Sequence, residues 1–258
     1  RLLQRQSIHY TMRESFLVYL SSIFAGNVTP ARLGEFVKAF YLRSDKGISV
    51  SRGMSSVLID RLCDMYLLII TGFFALWGFG VWEKFSGAVM LSAVIVVMSP
   101  MILLSKTIMD RILSFIYSFV ISKKTENNIK EKFQDFYSGV NQLINAELLI
   151  AGVLTCLGYL IFFIQCYLLA IAMKISINFA TITFVMAISN LVSIIPISVS
   201  GLGTRDAILI YFFSLLNLSP ELAVSYAFAV FLFFSVCGGI LGAFAWYIRP
   251  ISFVFGTK

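Results

Sequence analysis

The polar and apolar positions of this chain form long apolar runs, interrupted twice by Pro/Gly segments that carry an arginine followed by an acid. Residues 1–14 are polar and basic. Ser15–Ala25 is apolar but only about a dozen residues long, short of the roughly 18–20 that cross a hydrocarbon core. The first break follows: Gly26-Asn27-Val28-Thr29-Pro30-Ala31-Arg32-Leu33-Gly34-Glu35. Beyond it Phe36, Val37, Phe40 and Tyr41 recur at helical spacing opposite Arg32, Lys38 and Arg43, which predicts a half-helix returning toward the surface. Residues 43–52 read as a basic loop. A helix is expected over Ser51–Trp77, with Asp60, Arg61 and Asp64 in its early turns, then a tight loop at Gly78–Lys84 and a span over Phe85–Leu104. Lys106, Arg111, Lys123, Lys124, Lys130 and Lys132 punctuate residues 106–147, predicting surface helices around a charged turn at Lys123–Asn128. Leu148–Met173 is a predicted span, Lys174–Asn178 a short loop, and Phe179–Pro196 either spans or dips in. The second break is Pro196-Ile197-Ser198-Val199-Ser200-Gly201-Leu202-Gly203-Thr204-Arg205-Asp206. Ala207–Leu216 is again too short to span. Leu222–Ile248 is a predicted span, with Gly238, Gly239 and Gly242 as a small-residue face for close packing.

Composition turns this pattern into a class. Of 258 residues, 59% are hydrophobic and 13% charged, with a mean hydropathy of +0.90. Soluble domains carry about 25% charged residues, so the chain reads as an all-α, polytopic integral membrane protein. Continuous rather than alternating apolar runs argue against a β-barrel. The formal charge of +7 is assigned to basic loops at the cytoplasmic face of the cell membrane, not to nucleic acid. Cys63, Cys156, Cys166 and Cys237 all fall in apolar runs and read as small core residues; His9 has no companion ligand, so no metal is expected. The 25 Phe and 11 Tyr are expected mostly at the lipid-facing surface, and Trp77, Trp82 and Trp246 as interfacial anchors. The chain opens Arg-Leu-Leu-Gln-Arg-Gln, with no Met and no signal peptide, and a preceding helical segment is expected.

Placing the basic segments on one side gives a consistent path. The helix near 51–77 leads out, 85–104 returns, 148–173 leads out and 222–248 returns. The segment 15–42 then enters and leaves from the cytoplasmic side, and 179–216 from the outside. The two are expected to be oppositely oriented re-entrant hairpins in an inverted repeat, the pattern that builds midplane sites in secondary transporters. The expected organisation is one transmembrane domain: a first half over about 1–105, surface helices over about 106–147 and a second half over about 148–258.

Irregular backbone at membrane depth requires a protein wall or a wet cavity. Gly34, Gly201 and Gly203 let the backbone turn and a ligand approach, with Pro30, Pro196 and Thr204 beside them. A half-helix starting after each break would point N–H groups at an anion, and Arg32 and Arg205 would grip phosphate oxygens. The alternatives are structural: Arg205 pairs with Asp206 or Asp64, and Arg32 snorkels. Asp60 and Asp64 share a helix face, and Arg61 reaches Asp64; this group is either a polar wall of the cavity or a self-neutralised cluster. Glu35 and Asp206 fall on first turns, where the helix dipole favours an acid. There is no P-loop, GxSxG, HExxH or Cys pair, so no catalytic residue and no cofactor is expected.

Three motifs carry a resemblance: Gly26-x3-Pro30-x-Arg32-x-Gly34-Glu35, Asp60-Arg61-x2-Asp64 and Pro196-x4-Gly201-x-Gly203-Thr204-Arg205-Asp206. Through them the chain resembles the flippase-like transmembrane region of lysylphosphatidylglycerol synthases and their stand-alone relatives. Family members commonly show Glu-Arg-x2-Asp and Gly-x-Gly-x-Arg-Glu; Asp60 and Asp206 stand here in place of the glutamates. The resemblance implies movement of an aminoacyl phospholipid or a polyprenyl-phosphate-linked sugar between leaflets, with membrane lipids as partners. The synthase activity of that family belongs to a soluble domain this sequence does not contain. Two other readings stand beside it. One is an intramembrane polyprenyl-phosphate phosphatase or transferase, although the serine/arginine phosphate loop and paired glutamates of such enzymes are missing. The other is a membrane scaffold for a partner glycosyltransferase.

Overall fold

The computed structural model describes residues 9–29, 32–83, 126–143, 146–193 and 201–251, with residues 87, 91, 94, 98 and 105. The span expected at Phe85–Leu104, most of the basic stretch 106–125, and both Pro30 and Pro196 lie outside the described residues. Among those described, all regular structure is helical.

Helix α1 (Met12–Asn27) starts at a capping box: the Glu14 amide donates to Thr11 Oγ1 at 3.3 Å, and the Thr11 amide donates to Glu14 Oε2 at 2.8 Å. After the break a 3₁₀ turn (Leu33–Phe36) leads into α2 (Val37–Lys46), which extends into the expected loop and stops at Gly47, in the left-handed region at φ 68°. Helix α3 (Val50–Gly78) is capped by Ser49. Helix α4 (Glu126–Leu143) begins inside the expected charged turn. It is not purely a surface helix, because Val140 and Leu143 bury against Ile59 of α3. Helices α5 (Ala146–Ala172), α6 (Phe179–Ser193) and α7 (Thr204–Leu215) follow. The last rod runs from Pro220, placed where its missing N–H costs nothing, through α8 (Pro220–Val230), a π-helical turn (Phe231–Val236) and α9 (Cys237–Ile248).

Two described helices are long and apolar enough to cross a membrane, Leu148–Ala172 with 25 residues and Pro220–Ile248 with 29. Most of their large side chains, such as Leu149, Val153, Ile161, Phe233 and Phe244, are exposed. The described part of α6 has 15 residues, fewer than a full span needs.

The main core joins α3, α5, α6, α7 and α8 around Leu68, Cys166, Ile182, Met186, Phe212, Phe213 and Tyr226. Tyr41, Tyr226, Phe212 and Phe213 are among the largest fully buried side chains, so aromatic rings build the interior as well as the surface. Of the cysteines only Cys166 is core; Cys156 and Cys237 are exposed. Trp77 is exposed, whereas Trp246 packs edge-on against Phe24 and Tyr41. Gly242 explains that contact. A methyl group there would sit 2.4 Å from the Leu20 carbonyl oxygen, so α1 and α9 cross nearly backbone to backbone.

Two sets of contacts decide how the broken segments are held. The Tyr10 hydroxyl, just before α1, donates to Asp45 Oδ2 at 2.7 Å near the end of α2. In the second half, Phe184 of α6 lies by Gly78, and Phe212 of α7 stacks on Phe79 at 4.9 Å. Tyr10 thus ties the start of α1 to the end of α2, and Phe184 and Phe212 both pack by the end of α3.

Candidate functional site

The first break is a tight crossing. Thr29 Oγ1 donates to the Ala25 carbonyl at 2.9 Å and accepts from the Gly34 amide at 2.7 Å. A β-carbon on Gly34 would lie 2.0 Å from the Ala25 oxygen, so only glycine fits. Between them Arg32 adopts φ 54°, a left-handed conformation uncommon for a side-chain-bearing residue. Arg32 is exposed.

Glu35 faces inward from the 3₁₀ turn. It is 6% exposed and accepts from Arg61 Nη2. Arg61 Nη1 lies 3.4 Å from Asp64 Oδ2. Lys38, which sequence reasoning did not single out, lies 3.8 Å from Glu35 Oε2 and 3.4 Å from Asp60 Oδ2. Three acids and two bases therefore form one network stitching the 3₁₀ turn and α2 to α3. Glu35 falls in the first turn of the 3₁₀ helix that leads into α2, and its carboxylate is in addition an ion-pair partner. Lys38 was legible as a base three residues after Glu35, but only the α2–α3 packing shows that it also meets Asp60.

At the second break Gly201 (φ 73°) and Gly203 (φ 81°) make the turn into α7. Gly201 has no room for a side chain, since Ser193 Oγ would be 2.4 Å away, whereas the space around Gly203 is open. Asp206 accepts from the Gly203 amide at 3.1 Å and so caps α7 as expected. Thr204 Oγ1 donates to the Gly201 carbonyl at 3.2 Å. Arg205 is 6% exposed, yet its Nε and Nη2 atoms have no hydrogen-bond partner among the described residues. It forms no ion pair with Asp206 or Asp64, the two partners considered above; Asp64 instead faces Arg61.

Arg205 lies within electrostatic range of Asp206 first, and then of Arg32 from the other half of the chain. Tyr159 of α5, also not anticipated, senses Asp64, Arg61, Arg32 and Glu35 together. Arg205 is thus a buried cation and Arg32 an exposed one, and a buried cation favours a nearby anion. Guanidinium groups are suited to gripping phosphate or carboxylate. Among the described residues no group of three or more His, Cys, Asp or Glu side chains is disposed to hold a metal.

The family model for the lysylphosphatidylglycerol synthase TM region matches residues 1–242. A UPF0104 membrane protein of Methanocaldococcus jannaschii is 26% identical over 225 residues, covering 81% of this chain and 67% of the relative. A UPF0104 membrane protein of Methanothermobacter thermautotrophicus is 25% identical over 275 residues, covering 95% of this chain and 71% of the relative. A second M. jannaschii protein of that group is 24% identical, covering 88% and 94%. No solved structure matches.

Proposed function

Since the chain belongs to the lysylphosphatidylglycerol synthase TM-region family of membrane proteins, we propose that it moves a lipid with an anionic headgroup between the leaflets of the cell membrane. The cargo class is a polyprenyl-phosphate-linked sugar or an aminoacyl phospholipid. The observation that carries this reading is Arg205: buried, with its Nε and Nη2 atoms unpartnered among the described residues, and within electrostatic range of Arg32. Leaving a buried cation uncompensated is costly, and a phosphate crossing hydrocarbon needs substitutes for its water. Each requirement answers the other. In this reading α1–α2 and α6–α7 are re-entrant hairpins entering from opposite faces, with the basic loops cytoplasmic. The headgroup sits between Arg32 and Arg205 while the tail stays in lipid, and the Glu35–Arg61–Asp64 network braces the first hairpin. A glycosyltransferase or other lipid-modifying enzyme would supply or receive the cargo.

The test compares lipids retained by the purified protein with those retained by Arg205→Met, together with thermal unfolding of both after delipidation. The expected result is a specific anionic lipid kept by the wild type and lost by the variant. The delipidated variant should unfold at the same or a higher temperature, because it no longer buries an unpaired cation. Bulk phospholipid in both proteins, or loss of folded protein on substitution, would sink the reading.

A further inference from the structure

A cavity of about 180 Å³ lies between α1, α2 and α3, away from Arg205. Val18, Leu42 and Val57 give it apolar surface, Tyr19, Lys38 and Asp60 line it with an aromatic ring and charges, and Tyr10, Ser15 and Ser56 add hydroxyls. We propose that this cavity binds the ammonium head of an amphiphile, and that Lys38 is a tethered occupant which the ligand displaces. The proposal does not rest on the transport reading.

The argument starts from what surrounds the Lys38 ammonium. Asp60 Oδ2 is at 3.4 Å and Glu35 Oε2 at 3.8 Å. The Tyr19 ring centroid is at 5.2 Å. Carboxylates beside the face of an aromatic ring are the recurring surroundings of a bound ammonium group. A lysine side chain already fills the place and demonstrates the fit. Its hold is loose, since strong charge-assisted bonds are about 2.7–2.9 Å long, and a lysine has a flexible four-carbon stem.

The consequences of its leaving differ for the two acids. Glu35 keeps Arg61 as a partner. Asp60 has a 43% exposed side chain and no ion-pair partner other than Lys38 among the described residues, so it would receive the incoming ammonium. An anionic ligand fits less well, because the single cation of the cavity is already matched by two carboxylates. Val18, Leu42 and Val57 add apolar surface to the same cavity, which suits a head attached to a hydrocarbon chain rather than a free amine.

The test uses purified protein in non-ionic detergent, with dodecylammonium and dodecyl phosphate as paired probes in binding titrations. Dodecylammonium is expected to bind. Lys38→Ala, which vacates the place, should tighten it about tenfold, and Asp60→Asn should weaken it about tenfold. Arg205→Met should leave it unchanged, which separates this site from the anion site. If Lys38→Ala does not give folded protein, Lys38→Met keeps the packing of the stem and serves the same comparison. Dodecyl phosphate binding that is lost in the lysine variants would overturn the proposal in favour of an anion site on Lys38. Dodecylammonium binding that is absent, or indifferent to position 38, would also overturn it.

Discussion

Single atoms decide the breaks. At Gly34 the missing β-carbon is what lets the chain recross the end of α1, since a methyl group would overlap the Ala25 carbonyl. Gly34→Ala is therefore expected to destabilise the protein by about 3 kcal/mol, the upper part of the usual range for overpacking. At Gly203 nothing lies within 4 Å of a methyl group, and only φ, at 81°, resists one. Gly203→Ala should cost about 1 kcal/mol. Thermal unfolding of the two variants checks the ordering, and equal losses would contradict this account. Both glycines were visible in the sequence as turn formers. That one is closed by packing and the other stands open could not be read there, because it depends on the end of α1 bringing the Ala25 carbonyl against Gly34 and on no neighbour reaching Gly203.

Helices α1 and α9 show how far an element can be read alone. The small residues Gly238, Gly239 and Gly242 announced a close approach, and the structure supplies α1 as the partner, with Asn27 Nδ2 donating to the Ser235 carbonyl at 2.9 Å in the π-helical turn. π-Turns recur at functional sites; here the turn offers a carbonyl to the end of α1. Gly242→Ala should splay this crossing and cost about 2 kcal/mol or more. Gly238→Ala should be mild, because its new methyl would meet Ile23 at an ordinary 3.6 Å. Cross-linking yield between α1 and α9 should fall in the first variant only.

The start of α1 carries a pH dependence. Glu14, outside the apolar segment, has its carboxyl held below the ordinary glutamate value of 4.5, first by the Thr11 amide and then by the Thr11 hydroxyl. A depressed acid contributes stability that is fully present above its unfolded value and is lost as pH falls through the folded one. Protection factors of the amides in the first turn of α1, exchange rates corrected for the intrinsic pH dependence, should therefore fall as pH drops below 4.5, and Glu14→Gln should remove that dependence.

Across the whole molecule, Asp45 gathers three distant parts of the chain. Tyr10 Oη donates to it at 2.7 Å, and Arg249 Nη2, past the end of α9, donates at 2.8 Å. Tyr41 Oη donates to the Arg249 carbonyl at 2.6 Å. Burial, and then the bond to Asp45, hold the Tyr10 phenol above its ordinary value, so it remains a donor across neutral and mildly alkaline pH. Asp45→Ala should cost about 2 kcal/mol, as expected for losing hydrogen bonds to a charged acceptor, and should raise protease susceptibility at both ends of the described chain. Unchanged unfolding would show that the clasp is incidental.

Much of this molecule is local chemistry and was legible from the residues in order. The apolar runs mark a membrane protein because their length and lack of charge suit no other solvent. Thr11, Ser49 and Ser219 cap helices where their side chains reach the next turn, and Asp206 caps α7 for the same reason. Pairing between distant segments was not legible. Arg61 could be matched to Asp64 one turn away, but its bond to Glu35 spans 26 residues of sequence and needs the first break to fold back on α3. Nothing in the order of residues shows that two nitrogens of Arg205 are left without a partner among the described residues, or that Lys38 lines a cavity between three helices. A charge finds its partner through the space between helices, and only the packing of those helices defines that space.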